Sequence, residues 1–253
     1  MQDILKSKTR VSSFFVALIA GLSLLAVQAS AQDSTPSADQ IIEKYIQAVG
    51  GKAAMEKLTS RVSTGSFEVD VMPGSSSQEI YEKAPNKQLW VTDLANFGVF
   101  RRGFNGTMGW QDNPQTGLQE VTGNQLAELK RSAEFQRDLK LKELYPKTQV
   151  KGKEKVNARD AYVVEATPAE GPAALMYFDA ESGLLVRTQG QSETPSGTVT
   201  VDTTFEDYRE VDGIKLPFVT RVSRPEFGFV IRLTEVKHNV PIDDAKFDMP
   251  GAK

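Results

Sequence analysis

The stretch Val99-Phe100-Arg101-Arg102-Gly103-Phe104-Asn105-Gly106-Thr107-Met108-Gly109-Trp110-Gln111 sets two short runs of β-forming residues on either side of Asn-Gly. Asn-Gly is the strongest short hairpin signal, because both central positions of a type I′ turn need φ > 0. The same grammar extends in both directions. Upstream, Arg61–Val71, Gln78–Ala84 and Lys87–Leu94 are further runs, with Gly65 marking a bulge and Pro85-Asn86 a turn. Downstream, Leu118–Val121 follows. The pattern then resumes from Gln149 to Asn239, punctuated by turns at Asn157–Asp160, Ala180–Gly183, Asp212-Gly213 and Glu226–Gly228. Such spacing predicts a sandwich or a barrel-like sheet. Sequential hairpins favour one curled antiparallel sheet of about 11 strands.

Helical spacing interrupts the pattern in two places. Ser37 and Gln40 form a capping box, Ile41, Ile42, Tyr45, Ile46 and Val49 make one apolar face, and Gly50-Gly51 stops the helix. A short helix over Lys52–Leu58 follows. Mid-chain, Leu126, Leu129, Ala133, Leu139, Leu141 and Leu144 lie among charged residues between Gly123 and Tyr145, which predicts one long or two consecutive amphipathic helices before Pro146. Pro241–Phe247 reads as a terminal turn of helix. These helices are positioned to cover the concave side or a mouth of the sheet, and residues 32–253 read as one domain.

The start of the chain has the pattern of an export signal. Lys6, Lys8 and Arg10 precede an apolar stretch from Phe14 to Val27, and Ala29-Ser30-Ala31 supplies the small residues of a cleavage site before Gln32. The apolar run is short of the about 20 residues a spanning helix needs, so cleavage is expected, with no stable membrane insertion afterwards. The remaining chain holds 27 basic and 32 acidic residues, a net charge of −5 spread evenly. That balance argues against nucleic acid as a partner. The chain has no cysteine, so it cannot be lipidated on one.

Chemistry-bearing motifs are sparse. His238 is the single histidine, and without a nucleophile or metal beside it reads as an ordinary strand residue. One His and no Cys exclude the usual zinc and copper ligand sets. No metal or other cofactor is expected, no catalytic residue is assigned, and the chain is read as non-catalytic. What stands out is apolar bulk. Trp90, Phe104, Met108 and Trp110 cluster around the central hairpins, followed by Leu126 and Leu129, with Met176 and Phe178 in a later strand. These eight are the candidate lining and lid of an apolar cavity, which would hold a lipid-like ligand by burial at about 0.8 kcal/mol per CH₂.

Three segments resemble the periplasmic lipoprotein carriers, the LolA/LolB-like family, in the family's order. They are Lys83-Ala84-Pro85-Asn86-Lys87-Gln88-Leu89-Trp90, then Phe104-Asn105-Gly106-Thr107-Met108-Gly109-Trp110 with Asn113-Pro114, and Ile242-Asp243-Asp244-Ala245-Lys246-Phe247-Asp248-Met249-Pro250. Met176–Arg187 and Phe205–Pro217 are similar to an outer-membrane lipoprotein-sorting-like branch. The resemblance spans nearly all of Ser37–Gly251. It implies an incomplete antiparallel β-barrel lidded by the N-terminal and mid-chain helices, a periplasmic location, an acyl chain of a lipoprotein or another lipid-like ligand as partner, and an envelope protein as acceptor. The chief alternative is an envelope sensor or adaptor that uses the fold to bind a protein, and a hydrolase is third. The family's arginine before Pro-Asn, which holds the lid closed, is replaced here by Ala84; Arg101 and Arg102 on the next strand are the candidates to stand in for it.

A lid must open to admit a chain. Amides across Gly123–Pro146 are therefore expected to exchange hydrogen faster without ligand than with it, and uniform protection in both states would refute a mobile lid.

Overall fold

Ser37 opens the first helix as its capping box requires. Its hydroxyl accepts from the Gln40 amide at 3.2 Å and its own amide donates to Gln40 Oε1 at 2.8 Å. Helix α1 (Ala38–Ala48) follows, then the single turn α2 (Lys52–Met55), shorter than the Lys52–Leu58 expected. The computed structural model describes residues 35–251, apart from 73, 95, 195 and 196; the export signal expected at residues 1–31 lies outside the described residues.

Six strands come next: β1 (Ser60–Val69), β2 (Ser76–Lys83), β3 (Lys87–Leu94), β4 (Gly98–Phe104), β5 (Gly109–Asn113) and β6 (Gly117–Val121). After helices α3 (Gly123–Ala133) and α4 (Leu141–Leu144), the chain makes seven more: β7 (Lys147–Val156), β8 (Arg159–Thr167), β9 (Ala174–Asp179), β10 (Leu185–Thr194), β11 (Gly197–Val211), β12 (Ile214–Ser223) and β13 (Gly228–His238). All belong to one antiparallel sheet in the order β6-β5-β4-β3-β2-β1-β13-β12-β11-β10-β9-β8-β7. The sheet is not closed into a barrel. It has 13 strands rather than about 11, because even five-residue runs such as Gly117–Val121 pair along their whole length.

Two consecutive meanders are thus joined by β1 against β13. Gly65 is the bulge point, where the register shifts, and a Cβ there would sit 2.0 Å from the Arg232 carbonyl oxygen. Only glycine allows the two backbones to approach so closely. The expected type I′ turn at Asn105-Gly106 does not form. Asn105 keeps an ordinary negative φ, and its carboxamide oxygen accepts from the Thr107 and Met108 amides at 3.0 and 2.9 Å. This Asx geometry makes a four-residue loop. The two-residue turns with both φ positive lie instead at Asn157-Ala158 and Asp212-Gly213.

Residues directly opposite across paired strands share a face. On the inner face α1 packs Ile41, Ile42, Tyr45 and Ile46 against Val164, Met176, Phe178 and Ile214. Helix α3 packs Leu126, Leu129 and Ala133 onto Phe104 and Val121 of the other meander. The outer face of that meander is covered by the C-terminal 3₁₀ turn η1 (Asp244–Phe247), through a cluster of Leu89, Trp110, Ile242 and Phe247. Trp110 is 1% exposed and its indole Nε1 donates to the Phe247 carbonyl at 2.8 Å.

The Trp110 ring lies flat over Gly103, where an added Cβ would fall 2.5 Å from the indole. Gly103→Ala is expected to cost about 1–3 kcal/mol by displacing the ring. Gly190→Ala, whose Cβ would meet only Ala174 at 3.9 Å, is expected to be neutral or stabilising by up to about 1 kcal/mol. Urea denaturation of the two variants checks the contrast.

Candidate functional site

The site is created by topology. β6 and β7 are opposite edges of the sheet, yet they are consecutive in the chain, so the segment between them has to pass from one edge to the other. The expected helix there is two separate pieces, with residues 134–140 in turns between α3 and α4. The Thr122 side chain caps nothing at the start of α3. Tertiary bonds hold that end instead, with Asn124 Nδ2 donating to Glu193 Oε1 at 2.6 Å and Gln125 Nε2 to the Glu193 carbonyl at 3.2 Å. Helix α3 therefore lies on β4 and β5 along one side and is tied to β10 at its start.

Beneath this crossing lies a cavity of about 530 Å³. Tyr45, Leu141, Leu144, Met176, Leu185 and Val201 supply apolar wall, and Glu128, Arg131, Glu193 and Arg224 supply charge. Arg131 is engaged, its Nη1 donating to the Glu170 carbonyl at 2.7 Å. The Tyr45 hydroxyl donates to Asp138 Oδ1 at 2.8 Å. Burial and the Asp138 charge raise the Tyr45 pKa well above its ordinary value, so this phenol remains a donor.

One buried ionic cluster fastens the helical segment to the sheet. The Glu82 side chain of β2 is 5% exposed. Arg61 of β1 donates to its Oε2 from Nε at 2.6 Å and pairs with it again through Nη2. Arg137, between α3 and α4, donates to Oε1 at 2.8 Å and to the Ser132 carbonyl at 3.3 Å. Gln88 Nε2 bonds both Glu82 and Ser132, and the Phe135 amide donates to the Pro85 carbonyl at 2.9 Å. Burial alone would push the Glu82 carboxyl up. The guanidiniums of Arg61 and Arg137 outweigh it and hold the pKa at about 2.

This cluster corrects the expectation about Ala84. Neither Arg101 nor Arg102 ties down the helical segment: Arg101 pairs with Asp112 at 3.2 Å, and Arg102 makes no such bond among the described residues. The cation sits on the helical segment and the carboxylate on the sheet, two residues before Ala84. Sequence reasoning missed Arg137 and Glu82. The only available signal was a glutamate on the helix-facing side of a strand whose neighbours Gln78 and Ile80 are buried.

The eight sequence candidates are distributed unevenly. Met176 lines the cavity. Phe178 is buried under α1, its ring 5.4 Å from that of Tyr45. Phe104, Leu126 and Leu129 form the contact between α3 and the sheet. Trp90 is half-buried on the inner face opposite Arg102. Trp110 is on the outer face under η1, one pleat away from the cavity side. Met108 lies in the exposed hairpin loop, 37% accessible.

His238 has a partner that the sequence did not reveal. Its Nδ1 lies 2.9 Å from Asp212 Oδ2, while Nε2 is buried with no hydrogen-bond partner among the described residues. Burial lowers the histidine pKa and Asp212 opposes that. No group of three or more His, Cys, Asp or Glu side chains able to hold a metal ion occurs among the described residues. No helix among them is long and apolar enough to cross a membrane.

Neither a family model nor a curated protein matches this sequence. Solved structures do match. A DUF1329 family protein from Desulfovibrio piger is 16% identical over 85% of this chain and 98% of its own, with a TM-score of 0.58. A LolA superfamily protein from Nitrosomonas europaea is 14% identical over the same shares, also with a TM-score of 0.58. An outer membrane lipoprotein-sorting protein domain from Vibrio parahaemolyticus is 12% identical over 83% of this chain and 95% of its own, at 0.55. The chain has the LolA-like fold.

Removing the carboxylate would strand the buried guanidinium of Arg61 and the partly exposed one of Arg137. Glu82→Gln is expected to cost about 3 kcal/mol and to speed hydrogen exchange in α3 and α4. Because Glu82 has a pKa of about 2 against an ordinary 4.5, its ionised form contributes stability above pH of about 4.5, lost as pH falls to about 2. The stability gap between wild type and variant, followed by chemical denaturation against pH, is expected to shrink over that range.

Proposed function

We propose that this protein is a non-catalytic carrier that holds a lipid-like ligand in the cavity between α3, α4 and β9–β11, outside the cytoplasm and after removal of its leader. The observation that carries the reading is the cavity itself, about 530 Å³, within the roughly 300–1,000 Å³ usual for small-molecule sites. Its wall joins apolar side chains to a few charged ones, which suits an amphiphile better than a bare hydrocarbon. The wall proposed here is Tyr45, Leu141, Leu144, Met176, Leu185 and Val201. Leu126 and Leu129 seat the lid on Phe104. The LolA superfamily and lipoprotein-sorting structures that share the fold lend support to a carrier, with an acyl chain as cargo and an envelope protein as acceptor.

The electrostatics favour binding over catalysis. The most perturbed carboxyl near the site, Glu82, is held ionised by two guanidiniums, the opposite of what a general acid needs. An adaptor for a protein partner would be better served by a filled interior and a contiguous apolar patch outside. The exposed large apolar residues Val71, Phe97, Met108 and Leu118 belong to separate hairpins of the sheet.

Native mass spectrometry of the protein isolated from a bacterial periplasm, followed by lipid extraction, tests the reading. One equivalent of bound amphiphile is expected. Gly190→Phe, which projects a ring into the cavity from β10, is expected to weaken uptake about tenfold or more while leaving the fold intact. An apo mass, with no uptake when lipid or lipopeptide is offered, would overturn the carrier reading in favour of a protein-binding adaptor.

A further inference from the structure

Two arginines on the inner face form no ion pair among the described residues. Arg102 projects from β4 opposite Trp90, and Arg224 follows the end of β12 and lines the cavity. The Nε atoms of both are buried and make no hydrogen bond among the described residues. Neither guanidinium belongs to an ion pair among those residues. Arg61, on the same inner face, behaves differently, being neutralised by Glu82. Arg224 is held by aromatic faces, with Cζ 5.7 Å from the ring centres of both Phe227 and Phe229.

The two guanidiniums share one electrostatic neighbourhood. Burial lowers the pKa of Arg102, the Glu128 carboxylate of α3 raises it, and the charge of Arg224 lowers it again. Burying two like charges with free donors is unfavourable unless something compensates for it. A guanidinium offers a planar fork of donors matched to the oxygens of a carboxylate or phosphate. Two guanidiniums facing one carboxylate leave a single positive charge to be met, which fits a monoanion better than a dianion. Beside them the inner face is apolar. Phe67, Trp90, Phe100 and Phe229 are all half-buried there, with the Phe67 and Phe229 rings 5.0 Å apart.

We infer that Arg102 and Arg224 bind the monoanionic head, a carboxylate or phosphodiester, of an amphiphile whose apolar part lies along the inner face and in the cavity. This rests on the carrier reading and names its ligand class.

Calorimetric titration of the purified protein with four probes tests it: dodecanoate, its neutral glycerol ester, lysophosphatidylglycerol and inorganic phosphate. Both anionic amphiphiles are expected to bind at least about tenfold tighter than the neutral ester, the fold-change one charge-assisted bond sustains. Arg102→Gln and Arg224→Gln are each expected to abolish that preference without weakening the neutral ester. Arg224→Lys keeps the charge without the fork and is expected to retain part of the preference. Arg102→Gln removes one of two like charges and should melt no lower than wild type, whereas Arg224→Gln also gives up the contacts with Phe227 and Phe229, so circular dichroism checks that it keeps the fold. Tightening by only one of the two anionic amphiphiles would assign the head group to that chemistry and uphold the site. Equal affinity for charged and neutral amphiphiles, or a preference that survives both substitutions, would overturn the inference and leave the carrier reading standing. Phosphate binding as tightly as the amphiphiles would overturn the apolar half of the proposal. Binding of none of the four would overturn the carrier reading and this inference together.

Discussion

The pairing of β1 with β13 is the constraint on which the rest of the molecule depends. Each meander could assemble from local hairpins, but only this long-range ladder makes them one sheet, and it closes around Gly65, where a side chain would collide with the Arg232 carbonyl. Once the two meanders are joined back to back, the free edges are β6 and β7. These edges are consecutive in the chain. The connection between them then has to cross the inner face, and it does so as α3 and α4. The cavity is thus a consequence of strand order: the helices span the hollow of the sheet instead of filling it.

Apolar contacts and charge share the work of holding that crossing in place. Leu126, Leu129 and Ala133 seat α3 on Phe104 and Val121, and Gly109 keeps the floor low enough, since a Cβ there would fall 2.9 Å from both leucines. The far end of the segment is held by Arg137 on Glu82. A buried ionic cluster of this kind adds little net stability compared with apolar packing, but losing one partner is costly. Such a tie defines one docked position sharply. It is also confined to a few atoms, so a displaced segment loses it all at once, a property that suits a lid better than a wall.

The outer face shows the complementary solution. Trp110 over Gly103, bonded to the Phe247 carbonyl, docks the C-terminal turn, and Asn105 Nδ2 donates to Asp248 Oδ1 at 3.0 Å to tie the adjoining loop to the same segment. Lys83 and Lys87 both pair with Asp244 there. All three segments that resemble the lipoprotein carriers, around Lys83–Trp90, Asn105 and Phe247, meet at this place. Their likeness records how the sheet is closed off outside, which explains why they identify the fold without marking the cavity.

By itself the sequence determined the alternating strands, the capped first helix, the bulge at Gly65 and the position of the helical interruption, because each rests on local periodicity, turn chemistry or capping within a few residues. It could not determine which side of the sheet a strand residue faces. Trp90 and Trp110 look alike as aromatic residues in adjacent hairpins, yet one pleat of register sends the first inward and the second outward. Nor could it pair Arg137 with Glu82, 55 residues apart, or leave Arg102 and Arg224 unpaired on one inner face. Those facts arise only when strand order brings distant residues together, because charge and burial act through space and carry no signature along the chain.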